Sequence, residues 1–316
     1  MKSQRKFLPF AVAALLSLSA VAQAQLRTPR PSQKASVMQT VGVTDVTITY
    51  SRPGVKGRTI WGDPPAAAAA GTATLDDARV RPKDQVIVPY GHVWRAGANE
   101  ATQFAVTDDV LINGQPLKAG TYSLHAIPGK DVWTIIFNSD AGQWGSFTYD
   151  EKKDVLRVQV KAQMAADSQE WLLYTFDPVG ETSAQVNLRW ERLRVPFTVE
   201  VKDVKALTVE KMRATVTAAK ADDWRTPLQA ANYVFTNNLT ANMEEATQWL
   251  DKSLKTKETF GNLYTKARVL AVTGKAADAV ATGEKALQLA KAPNSGVDAV
   301  TIADLEKRMA EWKTKM

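Results

Sequence analysis

The hydrophobic period of this chain changes once, near Asp203, and the change separates two kinds of structure. Before it, apolar residues alternate: Val46, Ile48 and Tyr50 are interleaved with Thr47 and Thr49, the period of a half-buried strand. After it, over 208–316, Ala, Leu, Lys and Glu dominate and apolar residues recur three and four apart, the period of a helix. A parallel α/β fold would interleave the two patterns, and no such rhythm is present.

The first part predicts an all-β antiparallel sandwich or open barrel over 37–202. Its candidate strands are 46–50, 103–112, 121–127, 132–137, 155–160, 170–176, 184–191 and 195–201. Asn113-Gly114 is the strongest hairpin signal, because both positions tolerate positive φ. Residues 63–85 open on Asp63-Pro64-Pro65, run through five consecutive alanines and end in a charged stretch, and read as a surface insertion.

The second part, 203–316, predicts an all-α domain of tetratricopeptide-like helical repeats. Ala246, Ser253 and Leu254 are matched 33 residues later by Ala279, Ala286 and Leu287, although Leu250 meets Gly283. Small residues at such positions let paired helices approach closely, and the spacing is close to the 34-residue repeat.

The N-terminus carries Lys2, Arg5 and Lys6, an apolar run from Phe7 to Val21, and then Ala22-Gln23-Ala24. This is the order of a secretory signal peptide over 1–24, with cleavage expected near Ala24 and a periplasmic or secreted destination. Residues 25–36, rich in Pro, Arg, Ser and Gln, read as a flexible lead-in. No other run approaches membrane-spanning length, so no integral membrane segment is expected after cleavage. Cleavage removes three positive charges and no negative ones, taking the net charge from +7 to +4. That balance, without a basic patch, argues against nucleic acid. The absence of cysteine excludes thiol catalysis and cysteine-ligated metals.

Chemistry concentrates in Val88 to Thr102, where Trp94, Arg95, Asn99 and Glu100 share fifteen positions with Gly91 and Gly97. Trp144, flanked by Gln143 and Gly145, is a second aromatic of this kind. These five are the ligand-binding candidates, since an aromatic ring beside Arg, Asn and Glu suits a sugar or peptide. Arg95 and Glu100 could equally form a buried ion pair closing one end of the fold, and the alanines around them favour that arrangement. Trp133 and Trp190 read as core. The two histidines, His92 and His125, lack the spacing of a metal site, and no metal or other cofactor is expected. No nucleophile elbow, phosphate loop or dinucleotide fingerprint is present.

Tyr50-Ser51-Arg52-Pro53, Gly57-Arg58, Val88-Pro89-Tyr90-Gly91, the run from Val93 to Thr102, Leu117 to Tyr122, Ile127-Pro128-Gly129 and Gln143-Trp144-Gly145 together resemble the exported bacterial family known as domain of unknown function 2911. The resemblance covers about residues 37–201 and implies an all-β fold, with helical repeats after it in some members. It implies no activity, substrate or catalytic residue. The insertion at 63–85 departs from the family pattern by separating Gly57-Arg58 from the Val88 motif.

The expectation is a non-enzymatic periplasmic binding or scaffold protein, meeting a protein or envelope component through its helical repeats. The alternative is a hydrolase acting on cell-envelope glycan or peptide, with Glu100 as acid or base.

Overall fold

The computed structural model describes residues 28–64 and 86–316. The expected signal peptide over 1–24 and residues 65–85 of the expected insertion lie outside the described residues. Twelve described strands precede six described α-helices, so a β domain leads into an all-α domain.

Strands β1 (Gln33–Val41), β2 (Thr44–Arg52), β5 (Thr102–Val106), β8 (Gly120–Ile127), β9 (Val132–Asn138) and β10 (Asp154–Lys161) form one antiparallel sheet in the order β1-β2-β5-β8-β9-β10. A second antiparallel sheet has the order β11 (Gln163–Val179), β12 (Ser183–Glu200), β6 (Val110–Ile112), β7 (Gln115–Leu117). A short parallel pair, β3 (Trp61–Gly62) and β4 (Val88–Pro89), stands apart from both. The inward residues of the two large sheets share one core, in which Val46, Ile48, Phe104, Phe137, Leu172 and Trp190 are almost completely buried. That is a sandwich.

Three strand boundaries differ from the sequence expectation, each for a backbone reason. The stretch 103–112 is two strands in different sheets, because the chain crosses over at Thr107-Asp108-Asp109. The stretches 184–191 and 195–201 belong largely to one strand, β12. Glu191 takes the left-handed conformation, with φ 53°, and shifts the pleat: Ala184, Val186, Leu188 and Trp190 face the core before it, and Val195, Phe197 and Val199 after it. A phase change that looks like a turn in sequence is thus a bulge. Finally, β1 begins at Gln33, inside the segment expected to be a flexible lead-in, because its whole length pairs with β2. Asn113 and Gly114, with φ of 47° and 81°, make the expected tight turn between β6 and β7.

The helices are α1 (Val204–Ala218), α2 (Arg225–Thr236), α3 (Met243–Thr256), α4 (Phe260–Val272), α5 (Ala276–Ala290) and α6 (Ala299–Lys313). Asp203 starts α1, its side chain accepting from the Ala206 amide at 2.9 Å. Val204 and Leu207 pack on the β core, and Lys211 Nζ donates to the Val43 carbonyl at 2.7 Å and pairs with Asp108 at 2.6 Å. The helical part therefore starts from a docked helix. Helices α3 and α5 begin 33 residues apart, and the matched Ala246, Ser253, Ala279 and Ala286 are all fully buried. Gly283 breaks the match because α6 lies against it: a Cβ there would meet Met309 Cγ at 3.0 Å. Among the described residues, no helix is long and apolar enough to cross a membrane.

Candidate functional site

The stretch from Trp94 to Thr102 packs its chemistry inward. Trp94 is 7% exposed and stands in a cluster with Trp61, Trp133 and Trp190, with ring centroids 5.0–6.3 Å apart. Its indole N–H donates to the Gly97 carbonyl at 3.1 Å. Trp133 and Trp190 are core, as their strands require. Trp94 joins them, so its ring is not available as a ligand platform.

Immediately after Trp94 the chain ties a backbone knot. Ala96 and Asn99 both take left-handed conformations, with φ of 51° and 60°. The Ala96 carbonyl accepts from the Thr102 and Tyr174 hydroxyls, each at 2.9 Å. Asn99 Nδ2 donates to the Ser32 carbonyl at 3.0 Å, and the Asn99 carbonyl accepts from the Gly145 amide and from Arg95 Nη1 at 2.7 Å. Such strained positions persist only where their surroundings hold them. Gly97 is needed for space: a Cβ would stand 2.7 Å from Thr102 Oγ1 and 3.2 Å from the Ser51 carbonyl. Gly97→Ala is expected to destabilise the protein by about 1–3 kcal/mol through overpacking, read by denaturant unfolding. An unchanged midpoint would show that the knot yields.

The ion pair between Arg95 and Glu100 is not formed. Glu100 instead pairs with Arg30 at 2.6 Å, from side chains that are 38% and 48% exposed. Arg95 is held by the Asn99 carbonyl and has a further interaction. Residues five apart in an irregular loop need not face each other, and Arg30 comes from a segment 70 residues away. The same Arg30 stands over the Trp144 ring, 5.8 Å from its centroid, and residues 100 and 144 form a short antiparallel bridge. Trp144 is 53% exposed and is the one member of the candidate set with a substantially open ring.

Burial opposes ionisation of Glu100, but hydrogen bonding and the charge of Arg30 outweigh it and hold the carboxyl below its ordinary value. A general acid at neutral pH needs the opposite shift. Because the folded pKa is lowered, the pair's stabilisation is present at neutral pH and lost as pH falls through and below the ordinary glutamate range. Exposure limits it to about 0–1 kcal/mol. Glu100→Gln should therefore cost little at pH 7 and converge with the parent in acid, as measured by unfolding midpoints across pH. A large cost at pH 7 would contradict the exposed pair.

The cleft beside Glu100, lined by Lys34, Gln103 and Gln143 among others, has a cavity volume of about 80 Å³. This is small against the roughly 300–1,000 Å³ of small-molecule sites. His125 is fully buried on β8 with its ring 5.1 Å from that of Tyr149. Among the described residues, no group of three or more His, Asp or Glu side chains could hold a metal ion.

The family profile described as "Protein of unknown function (DUF2911)" matches residues 32–199. The chain belongs to this family. Comparison with curated proteins and with solved structures finds no match. The DUF2911 segment coincides closely with the sandwich, and three of the family motifs build its knot. The Trp94–Thr102 run, Tyr50-Ser51 and Gln143-Trp144-Gly145 interlock through hydrogen bonds and close packing. The family's signature in this chain is thus read largely by the backbone.

A second cluster carries no signature motif in the sequence. Arg268 on α4 lies between two rings, its guanidinium 4.7 Å from Phe235 of α2 and 4.6 Å from Tyr264 of α4. Its Nε is buried and, among the described residues, has no hydrogen-bond partner. Nη2 reaches only long contacts, 3.5 Å to Asn232 and 3.4 Å to Thr265. The nearby carboxylate of Asp304 on α6 is taken by Arg308 at 2.7 Å and by the Tyr264 hydroxyl. Among the described residues Arg268 has no ion-pair partner, and burial lowers its affinity for its proton. The one sequence signal is the i, i+4 placement of Tyr264 and Arg268, which sets ring and guanidinium side by side on a helix.

Proposed function

We propose that this chain is an exported, non-enzymatic binding or scaffold protein. In this reading its helical part, a tetratricopeptide-like array, takes a carboxylate-bearing segment of a partner protein at Arg268. The observation that carries the reading is the half-buried guanidinium against Phe235 and Tyr264 that forms no ion pair among the described residues, the nearby Asp304 being engaged by Arg308 and Tyr264. A desolvated charge is costly unless paired, and a ligand carboxylate would supply the missing partner in a planar two-point contact. The rings fix the fork in advance, which reduces the entropy lost on binding. Supporting the binding role over catalysis, Trp94, Arg95 and Asn99 serve the backbone knot and Glu100 is engaged by Arg30.

The test is a titration of residues 25–316 with a pool of short peptides rich in Asp and Glu, against the same pool with Asn and Gln in their place. The acidic pool is expected to bind the parent, and Arg268→Met to weaken that binding about tenfold or more. Equal binding of both pools, or binding indifferent to the substitution, would overturn the reading. Export rests on the basic, apolar and small-residue order of residues 1–24. Protein recovered from the envelope fraction should begin near Gln25, and cytoplasmic material with an intact N-terminus would refute export.

A further inference from the structure

The outer face of the β11–β12 hairpin carries a depression unrelated to the Trp94 knot and to the Arg268 cluster. In the ladder, Met164 pairs with Leu193 and Gln169 with Glu191, so Ala165 to Ser168 on β11 stand opposite Arg192 alone. The extra residues bulge away from the ladder, and Asp167 reaches Arg189 at 2.9 Å. The depression beside them, with a cavity volume of about 550 Å³, is of small-molecule size.

Two arginines line it in different states. Arg194 donates from Nε to Asn187 Oδ1 and from Nη2 to Gln185 Oε1, both at 2.7 Å, and forms no ion pair among the described residues. Asn187 is 2% exposed and is itself anchored, through Nδ2, to the Asp177 carbonyl at 2.8 Å. The guanidinium is thus oriented by neutral groups and holds no carboxylate directly. Arg189 meets only Asp167, an exposed partner, while its Nε is buried and unpartnered among the described residues. Asp167, Asp177, Thr175, Leu173 and Phe176 belong to the same lining.

We propose that this depression binds a saccharide carrying a carboxylate. Arg194, the lining arginine without a carboxylate partner, calls for one negative charge, while Asp167 and Asp177 in the same lining would repel a bare polyanion. The same carboxylates and Thr175 accept from sugar hydroxyls, and Leu173, on the outward side of β11, offers apolar surface to a ring face. The cavity is too large for a simple ion. Arg194 and Arg189 take the ligand carboxylate.

The test is isothermal titration of residues 25–316 with digalacturonate, with neutral galactobiose and inorganic phosphate as controls. Digalacturonate is expected to bind at one site, at least about tenfold more tightly than either control. Arg194→Gln should weaken it by a similar factor. Because Arg194 also anchors buried Asn187, a second variant, Thr175→Tyr, fills the depression from an outward strand position and keeps both arginines. It should abolish binding while retaining the parent's unfolding temperature. Absence of digalacturonate binding, equal binding of galactobiose or of phosphate, or undiminished binding by both variants would overturn the proposal.

Discussion

Trp94→Ala is expected to cost about 3–5 kcal/mol of stability, the range for truncating a fully packed aromatic. Net stability of a domain is on the order of 5–15 kcal/mol, so the variant should approach the threshold of folding. The ring is 7% exposed and touches three other indoles, one of them nearly parallel at 6.0 Å, and its N–H fixes the Gly97 carbonyl at the start of the knot. Trp144→Ala should behave differently. Its ring is 53% exposed and meets mainly the Arg30 guanidinium, an exposed cation–π contact of about 0.5–1 kcal/mol. Urea unfolding followed by circular dichroism compares the two. A Trp94→Ala protein as stable as the parent would deny the tryptophan cluster its structural role. A Trp144→Ala protein that failed to fold would show that its bridge to residue 100 matters more than its exposure indicates.

Arg268→Met should lose ligand and keep its fold. An arginine buried in a structural ion pair costs about 3–5 kcal/mol when its partner is left behind. Here no partner carboxylate is stranded, since Asp304 retains Arg308 and Tyr264. Two opposing changes remain. The ring contacts with Phe235 and Tyr264 are lost, worth about 0.5–2 kcal/mol, and the desolvation of an uncompensated charge is relieved. Methionine keeps much of the aliphatic stem against the rings. The half-open position tempers both terms, and the variant should stay within about 1 kcal/mol of the parent by denaturant unfolding. Stability unchanged with binding lost is the pattern of a site that trades stability for function. A loss of several kcal/mol would instead mark Arg268 as a structural residue.

The two folds are legible in the sequence because each has its own period. Val46, Ile48 and Tyr50 face the core as alternation demands, and Ala246, Ala279, Ser253 and Ala286 are buried where the 33-residue match places them. Periodicity fails where the backbone leaves ideal geometry. The left-handed Glu191 moves the buried positions of β12 from even to odd, so one strand resembles two. The three-residue excess at 165–168 is invisible without its partner strand.

The stretch from Trp94 to Glu100 stands out in sequence as the most constrained part of the chain, but its role there is ambiguous. Trp, Arg, Asn and Glu in a glycine-containing stretch suit a ligand site and a strained structural knot equally well. What separates them is where each polar group spends its hydrogen bonds, and those partners lie far away in sequence. Ser32 holds Asn99, Arg30 holds Glu100, and Tyr174 holds the Ala96 carbonyl. Arg268 is inconspicuous in sequence for the converse reason: an arginine on an amphipathic helix is ordinarily solvated, and only packing against Phe235 from another helix desolvates it.

The most direct measurement is the side-chain NMR signal of the Arg268 Nε–H group, assigned by its loss in Arg268→Met. That group is buried and without a hydrogen-bond partner among the described residues. Titration of residues 25–316 with the acidic peptide pool should shift this signal in proportion to occupancy, and the amide pool should leave it in place. A signal unmoved at saturating acidic peptide, with shifts confined to residues 94–102 and Trp144, would return recognition to the β domain and contradict the assignment to Arg268.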